Sequence, residues 1–320
     1  MHHVAVSILN YNSSRSTIAC VQSLLSAQHA AEGGYLLDVF IADNNSATED
    51  QDRLRQALAD IPNVHIQINT RNQGFAAGHN GNLRVIFLRA IPDFVWVLNN
   101  DCLVYAESLP ALLKCSSQHP EVGIWGATVL ESDGETLQCA GGCFYNSWIS
   151  TYRQYGHGQA LASIDQLESV EFDYIAGASL FFPAAVLYKG LCSPVSAPSV
   201  KSGLDQHWLN QSFFLYFEEL DLARRLKQGF SMAWCKGALI RHAGGSSTGT
   251  DGGRRNRLAE YHSTLSALKY TRMYHPGRLW CMAPARYLLK CLQYIVKGDF
   301  RLLWPLTRAY RDFVCALRRQ

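Results

Sequence analysis

Five apolar residues, Phe94-Val-Trp-Val-Leu98, run directly into Asn99-Asn-Asp101. An unbroken apolar run of this kind suits a strand covered on both faces. A polar end on such a strand suits a ligand site at the carboxyl edge of a parallel sheet. Asp101 is thereby the candidate metal ligand, although an Asx-type turn that closes the strand accounts for the same residues.

The pattern repeats upstream. Val4–Leu9, Leu36–Ala42 and Val64–Ile68 read as strands. Each is followed by polar residues (10–14, 43–46 and 71–80) and then by helical spacing, as in Ile18/Val21/Leu25 and Leu54/Leu58. Alternating strands and helices predict a parallel sheet with helices on both faces. Its carboxyl edge would collect the polar clusters, including 99–101, that lie far apart in sequence. Further on, helix Leu109–Cys115 and strand Val122–Val129 extend the sheet, and 131–171 reads as loops and hairpins. Tyr174–Phe182 reads as one strand, whose glycine allows either a close approach or simple packing.

Charge is unevenly spread. Residues 1–253 carry 15 Lys+Arg against 23 Asp+Glu, and residues 254–320 carry 14 against 3. An acidic body with a basic tail predicts that the tail meets an anionic surface. In the tail Trp280, Tyr287, Leu288, Leu292, Ile295 and Trp304 are interleaved with Arg and Lys, as in amphipathic helices with basic flanks. Contact with a membrane surface or packing on the core both fit. The apolar share is too high for a nucleic-acid arm. The expected division is 1–250 as the catalytic domain and 251–320 as the tail. The ten cysteines include no CxxC pair, which argues against zinc and for free thiols. With no run of about 18 apolar residues and no signal-peptide pattern, the expected location is cytoplasmic, on or near the inner face of the cytoplasmic membrane.

Phe213–Phe217 leads into a helix whose first turns hold Glu218, Glu219 and Asp221. Acids there complement the helix dipole, and Asp221 is spaced to pair with Arg225. Three acids beside an aromatic wall also make one of them a candidate base. His242 ends a strand, as the other polar clusters do, and is a candidate ligand. Neither a Walker loop nor GxGxxG occurs, which disfavours a dinucleotide-dependent dehydrogenase.

Seven segments occur together in one order: Val6-Ser-Ile-Leu-Asn-Tyr-Asn12, Asp43-Asn-Asn-Ser46, Asn72-Gln-Gly-Phe-Ala-Ala-Gly-His-Asn80, Leu98-Asn-Asn-Asp101, Gly203-Leu-Asp205, Phe214-Leu-Tyr-Phe-Glu-Glu-Leu-Asp-Leu222 and His242. Across about residues 4 to 250 the chain resembles the inverting family 2 glycosyltransferases, closest to their bacterial rhamnosyltransferase-like branch. The resemblance implies a nucleotide-binding, Rossmann-like mixed sheet of the GT-A type flanked by helices, with a C-terminal helical extension. It implies transfer of a sugar, rhamnose by analogy, from a dTDP- or UDP-linked donor to a glycan or lipid-linked acceptor in cell-surface polysaccharide synthesis, with Mg2+ or Mn2+. By the same resemblance Asn10, Tyr11, Asn12, Asp43 and Asn45 hold the nucleoside. Arg71, Asn72 and Gly74 lie along the ribose and diphosphate, and Asn99 and Asn100 border them. Asp101 and His242 bind the metal. Glu219 is the base, with Glu218 and Asp221 as alternatives.

The chain departs from the family in carrying Asn99 where the first acid of a DxD motif stands. One carboxylate leaves the metal held mainly by the diphosphate. The departure also keeps open a catalytically inert sugar-nucleotide or glycan-binding protein of the same fold.

Overall fold

The computed structural model describes residues 1–31, 34–189, 208–243 and 256–318. The first half alternates as the apolar runs dictate: β1 (His2–Asn10), α1 (Ser14–Ala30), β2 (Tyr35–Asp43), α2 (Thr48–Leu58), β3 (Val64–Ile68), α3 (Gly74–Arg89) and β4 (Phe94–Leu98). β3, β2, β1 and β4 lie side by side and parallel. All five residues of β4 are buried. Helix α1 buries Thr17, Cys20, Val21, Leu24 and Ala27, the three-and-four spacing of one helical face.

The second half makes the sheet mixed. It contains β5 (Cys102–Val104), α4 (Ser108–Gln118), β6 (Val122–Leu130), β7 (Leu137–Ala140), β8 (Gly142–Asn146), β9 (Thr151–Gln154), β10 (Tyr174–Ile175), β11 (Ser179–Pro183), α5 (Ala184–Lys189), α6 (Glu218–Leu226) and β12 (Ser231–His242). β6 does not follow β4 in the sheet, because β11 lies antiparallel between them. Aromatic packing helps fix that insertion. Phe181 faces Trp96 in register and stacks on Phe94 at 5.1 Å, and the buried Trp96 indole donates to Ser179 Oγ at 2.9 Å. Beyond β6 come β12, parallel to it, and then β5. A separate antiparallel sheet has the order β10-β8-β9.

The single strand expected over Tyr174–Phe182 is two strands, β10 and β11, broken at Ala176-Gly177-Ala178. The break is pinned to the end of β4, where Asn99 N–H donates to the Ala178 carbonyl at 3.0 Å.

The C-terminal residues form α7 (Arg257–Tyr274), α8 (Leu279–Val296) and α9 (Leu303–Leu317). Helix α7 docks on the body: Tyr270 joins the main core, and Ser266 Oγ donates to the Leu215 carbonyl at 2.9 Å. A buried ion pair, Lys290 to Glu260 at 2.6 Å, ties α8 to α7. The boundary expected at 250/251 lies outside the described residues, as do Gly203–Asp205. Among the described residues no helix is long and apolar enough to cross a membrane.

Candidate active site

A cleft of about 840 Å3 opens at the carboxyl edge of the parallel strands. Chain direction explains what collects there. β1, β2 and β4 end at this edge, β11 runs the other way and so begins at it, and β12 ends beside the start of β5. Of the candidate residues, Tyr11, Asn72, Gly74, Asn99, Asn100, Asp101, Glu218, Glu219 and His242 line the cleft.

At one end, Asp101 Oδ1 lies 3.1 Å from His242 Nε2. The second imidazole nitrogen, Nδ1, is 2.7 Å from Gln138 Oε1, and Asn99 Nδ2 is 3.2 Å from Nε2. An outer partner that orients the ring is a common feature of metal-binding histidines. Cys102 completes a cluster whose donor atoms lie within 4.8 Å of one another. Its thiol is buried, donates to the Ala178 carbonyl, and is pushed well above the ordinary thiol range by burial and then by the charge of Asp101. It is fully buried and does not line the cleft, so Asp101 and His242 make the donor pair open to it. One carboxylate oxygen and one imidazole nitrogen suit a divalent ion that takes its remaining ligands from elsewhere.

The three acids lie in the first turn of α6, and Glu218 and Glu219 line the same cleft. Tyr216 and Phe217, just before the helix, both have left-handed backbones (φ 67° and 76°). Bulky residues adopt this conformation at a cost of about 1–2 kcal/mol each, and such strain gathers at functional sites. Helix α6 then divides its acids. Glu219 points to the strand break, where a β-carbon on Gly177 would stand 3.4 Å from its Oε1. Glu218 is 3 % exposed, and its Oε2 has no hydrogen-bond partner. Asp221 does not line the cleft. It is held by Arg225 (2.9 Å), Asn210 (3.0 Å) and the Tyr274 hydroxyl (2.6 Å). That set makes it a buried brace away from the cleft, as the i, i+4 spacing to Arg225 allowed.

Burial and the helix N-terminus pull carboxyl pKa values in opposite directions, and here burial wins. It raises Glu219 above the ordinary range, and it raises Glu218 further with help from the Glu219 charge.

At the other end Tyr11 and Asn44 line the wall. Asn44 was not singled out in sequence. Its Nδ2 donates to the Gly74 carbonyl at 3.1 Å, and it takes the place in the wall expected of Asn45, which is exposed. Asn10 and Asp43 are buried under the edge and bond to each other at 2.6 Å. Asn12 accepts from Ala47 N–H at 2.8 Å. These three hold the two loops rather than line the cleft, and Arg71 is exposed and outside it. His79, also unforeseen, lies in the cleft wall. It is held neutral by burial, with its pKa down to about 3 and its Nδ1 2.7 Å from Ser7 Oγ.

An open mixed sheet whose carboxyl edge carries a carboxylate–imidazole pair and an acidic helix start gives one cleft both a candidate cation site and candidate bases. The chain matches the family described as Glycosyltransferase like family 2 over residues 2–263. It belongs to that family of glycosyltransferases. It is 25% identical over 280 residues to an N-acetylglucosaminyl-diphospho-decaprenol L-rhamnosyltransferase of Mycobacterium tuberculosis, covering 79% of this chain and 80% of the relative. Solved structures share the fold, two of them glycosyltransferases with bound nucleotide and Mn2+. One is the mannosyltransferase PcManGT from Pyrobaculum calidifontis with GDP-Man and Mn2+ (TM-score 0.53, 12% identity, 97% of this chain and 86% of that one). The other is GalNAc-T7 with UDP, GalNAc and Mn2+ (TM-score 0.56, 12% identity, 87% of this chain), of which this chain spans about half, 51%.

Proposed function

We propose that the enzyme moves rhamnose, with inversion, from a dTDP- or UDP-linked donor to a lipid-linked sugar acceptor, in cell-surface polysaccharide synthesis at the inner face of the cytoplasmic membrane. The observation that carries this is that Glu219 and the Asp101–His242 pair line one cleft. The activity of the mycobacterial relative supports the sugar and the acceptor class.

Tyr11, Asn44, Asn72 and Gly74 form the wall along which the nucleotide lies. Asp101 and His242 hold Mg2+ or Mn2+, which when bound neutralises charge on the diphosphate. Glu219 takes the proton of the acceptor hydroxyl while that oxygen bonds to the anomeric carbon. The bond from that carbon to the diphosphate oxygen breaks, and its electron pair leaves with the nucleoside diphosphate. Attack from the face opposite the leaving group inverts the centre. Its raised pKa makes Glu219 a stronger base than an exposed glutamate.

The test incubates the full chain with a panel of nucleotide sugars, with and without Mn2+, and a GlcNAc-diphosphate-lipid acceptor. The expected result is metal-dependent release of nucleoside diphosphate from one donor and a product of inverted linkage. Donor binding without release would overturn the reading in favour of an inert sugar-nucleotide binder, the alternative that Asn99 raises.

A further inference from the structure

Helix α8 is inside out. Its buried face, Met282, Arg286, Lys290 and Tyr294, carries two cations, with Arg286 6% and Lys290 8% exposed. Its opposite face exposes Leu288, Leu292, Ile295 and Val296. Trp280 precedes them and Phe300 and Trp304 follow, all more than half exposed. A surface helix in water carries the reverse pattern. So many large apolar side chains on one surface mark a contact with something apolar.

The buried cations face the cleft. Arg286, Lys290, Leu289 and Gln293 all line it. Glu260, which holds the Lys290 ammonium with both carboxylate oxygens, does not. Arg286 is fixed by donation from Nη1 to the Ser150 carbonyl. From there the wall runs through Thr151, Tyr152 and Tyr174 to Gly177 and Glu219. The Tyr152 and Tyr174 rings lie 6.5 Å apart. A path thus leads from the exposed apolar stripe, past Leu289 and the two cations, along two aromatic rings to the base.

Resting on the glycosyltransferase reading of this cleft, we infer that α8 is the acceptor wall: its apolar stripe lies in a bilayer, and Arg286 with Lys290 receives the diphosphate of a polyprenyl-diphosphate-linked sugar. The chemistry matches at each point. The stripe meets acyl and prenyl chains, and the exposed Lys297 beside it meets anionic headgroups. A guanidinium and an ammonium side by side match a diphosphate. Aromatic faces suit the sugar held between diphosphate and Glu219.

Two binding measurements on the full chain test this. In flotation with phosphatidylglycerol-containing phosphatidylcholine vesicles, the wild type should float, and the double variant Leu292→Glu/Ile295→Glu should not while keeping its circular dichroism. Equal flotation of the two overturns the bilayer contact. With UDP in excess to fill the donor site, soluble farnesyl diphosphate should raise the melting temperature of the wild type, and farnesol should not. Arg286→Gln should weaken that binding about 10–100-fold, the loss of one or two charge-assisted hydrogen bonds. Arg286→Lys, which keeps the charge, should weaken it less. Unchanged affinity in a folded Arg286→Gln, or stabilisation by inorganic phosphate equal to that by farnesyl diphosphate, overturns the diphosphate site. Both readouts are of binding. Loss of sugar transfer with both intact would count against the roles given to Glu219 and the metal pair, and not against α8.

Discussion

Asp101 Oδ1 and His242 Nε2 meet at 3.1 Å because β12 pairs with β5 in a register that sets His242 opposite Cys102, the residue after Asp101. The pairing of the three-residue β5 with the end of the twelve-residue β12 therefore builds the carboxylate–imidazole pair, and Gln138 from β7 orients the ring. Replacing Gln138 by Leu should weaken Mn2+ binding about 10–100-fold, as loss of an outer-shell partner does. Titration of Mn2+ against nucleotide-dependent thermal stabilisation measures it. Wild-type affinity in the variant would mean that the ring needs no such partner.

Glu219→Gln should abolish transfer and leave donor affinity unchanged. The substitution keeps the shape beside Gly177 and removes only the proton acceptor. A loss of about 10²–10⁴-fold in kcat is the range for general-base catalysis. Because burial raises the Glu219 pKa, wild-type activity should climb with pH through a value above the ordinary glutamate range. Full transfer by the variant would remove Glu219 from the mechanism.

Glu218 has a different fate. Its folded pKa is raised well above that of an unfolded glutamate, first by burial and then by the Glu219 charge. A carboxyl of this kind favours the folded state below its unfolded pKa. That contribution falls away as pH rises through the folded pKa, where an ion must be buried. Wild-type stability should therefore decline with rising pH across that window. Glu218→Gln should flatten the decline and be about 1–3 kcal/mol more stable on its alkaline side, the cost of an uncompensated buried polar group. Denaturant melts at several pH values decide it, and parallel curves would refute the account.

Asp221→Asn should act on the fold. The carboxylate is buried and holds Arg225, Asn210 and the Tyr274 hydroxyl together. Removing one member of a buried pair costs about 3–5 kcal/mol. The midpoint of urea unfolding should fall accordingly, while folded enzyme at low temperature retains transfer. Wild-type stability would show that the brace carries no load.

The sheet edge was legible because its rule is local. An apolar run ending in Asn, Asp or His marks a strand and its polar end, and parallel strands bring those ends together, as with Tyr11, Asn100 and Asp101. What sequence could not supply depends on pairings with no local signal. β11 is hidden in an apolar stretch because its break is made by contact with Asn99. Gln138 looks like any polar strand residue until β7 pairs with β6. Asn10, Asn12 and Asp43 read as contacts to a ligand because turn residues and ligand residues are the same types, and only packing shows that they bond to one another or to the facing loop. Arg286 and Lys290 read as basic flanks of an amphipathic helix because periodicity does not say which face is turned inward.

Two glycines separate backbone strain from steric contact. Gly74 opens α3 at φ 81°, and a β-carbon on it would stand 2.3 Å from the Phe214 carbonyl oxygen, the acceptor of the Phe75 N–H bond at 2.8 Å. Gly158 has nearly the same φ, 79°, with nothing within 4 Å of the added carbon. Gly158→Ala should therefore cost only the left-handed penalty of about 1–2 kcal/mol. Gly74→Ala should cost that and more, because α3 must move off the segment that leads into Glu218 and Glu219. Its kcat should fall as well, since that segment sets the base, whereas Gly158→Ala should keep wild-type kcat. Equal stability losses in the two variants, with activity intact in both, would show that the contact between Gly74 and Phe214 does not position the acids.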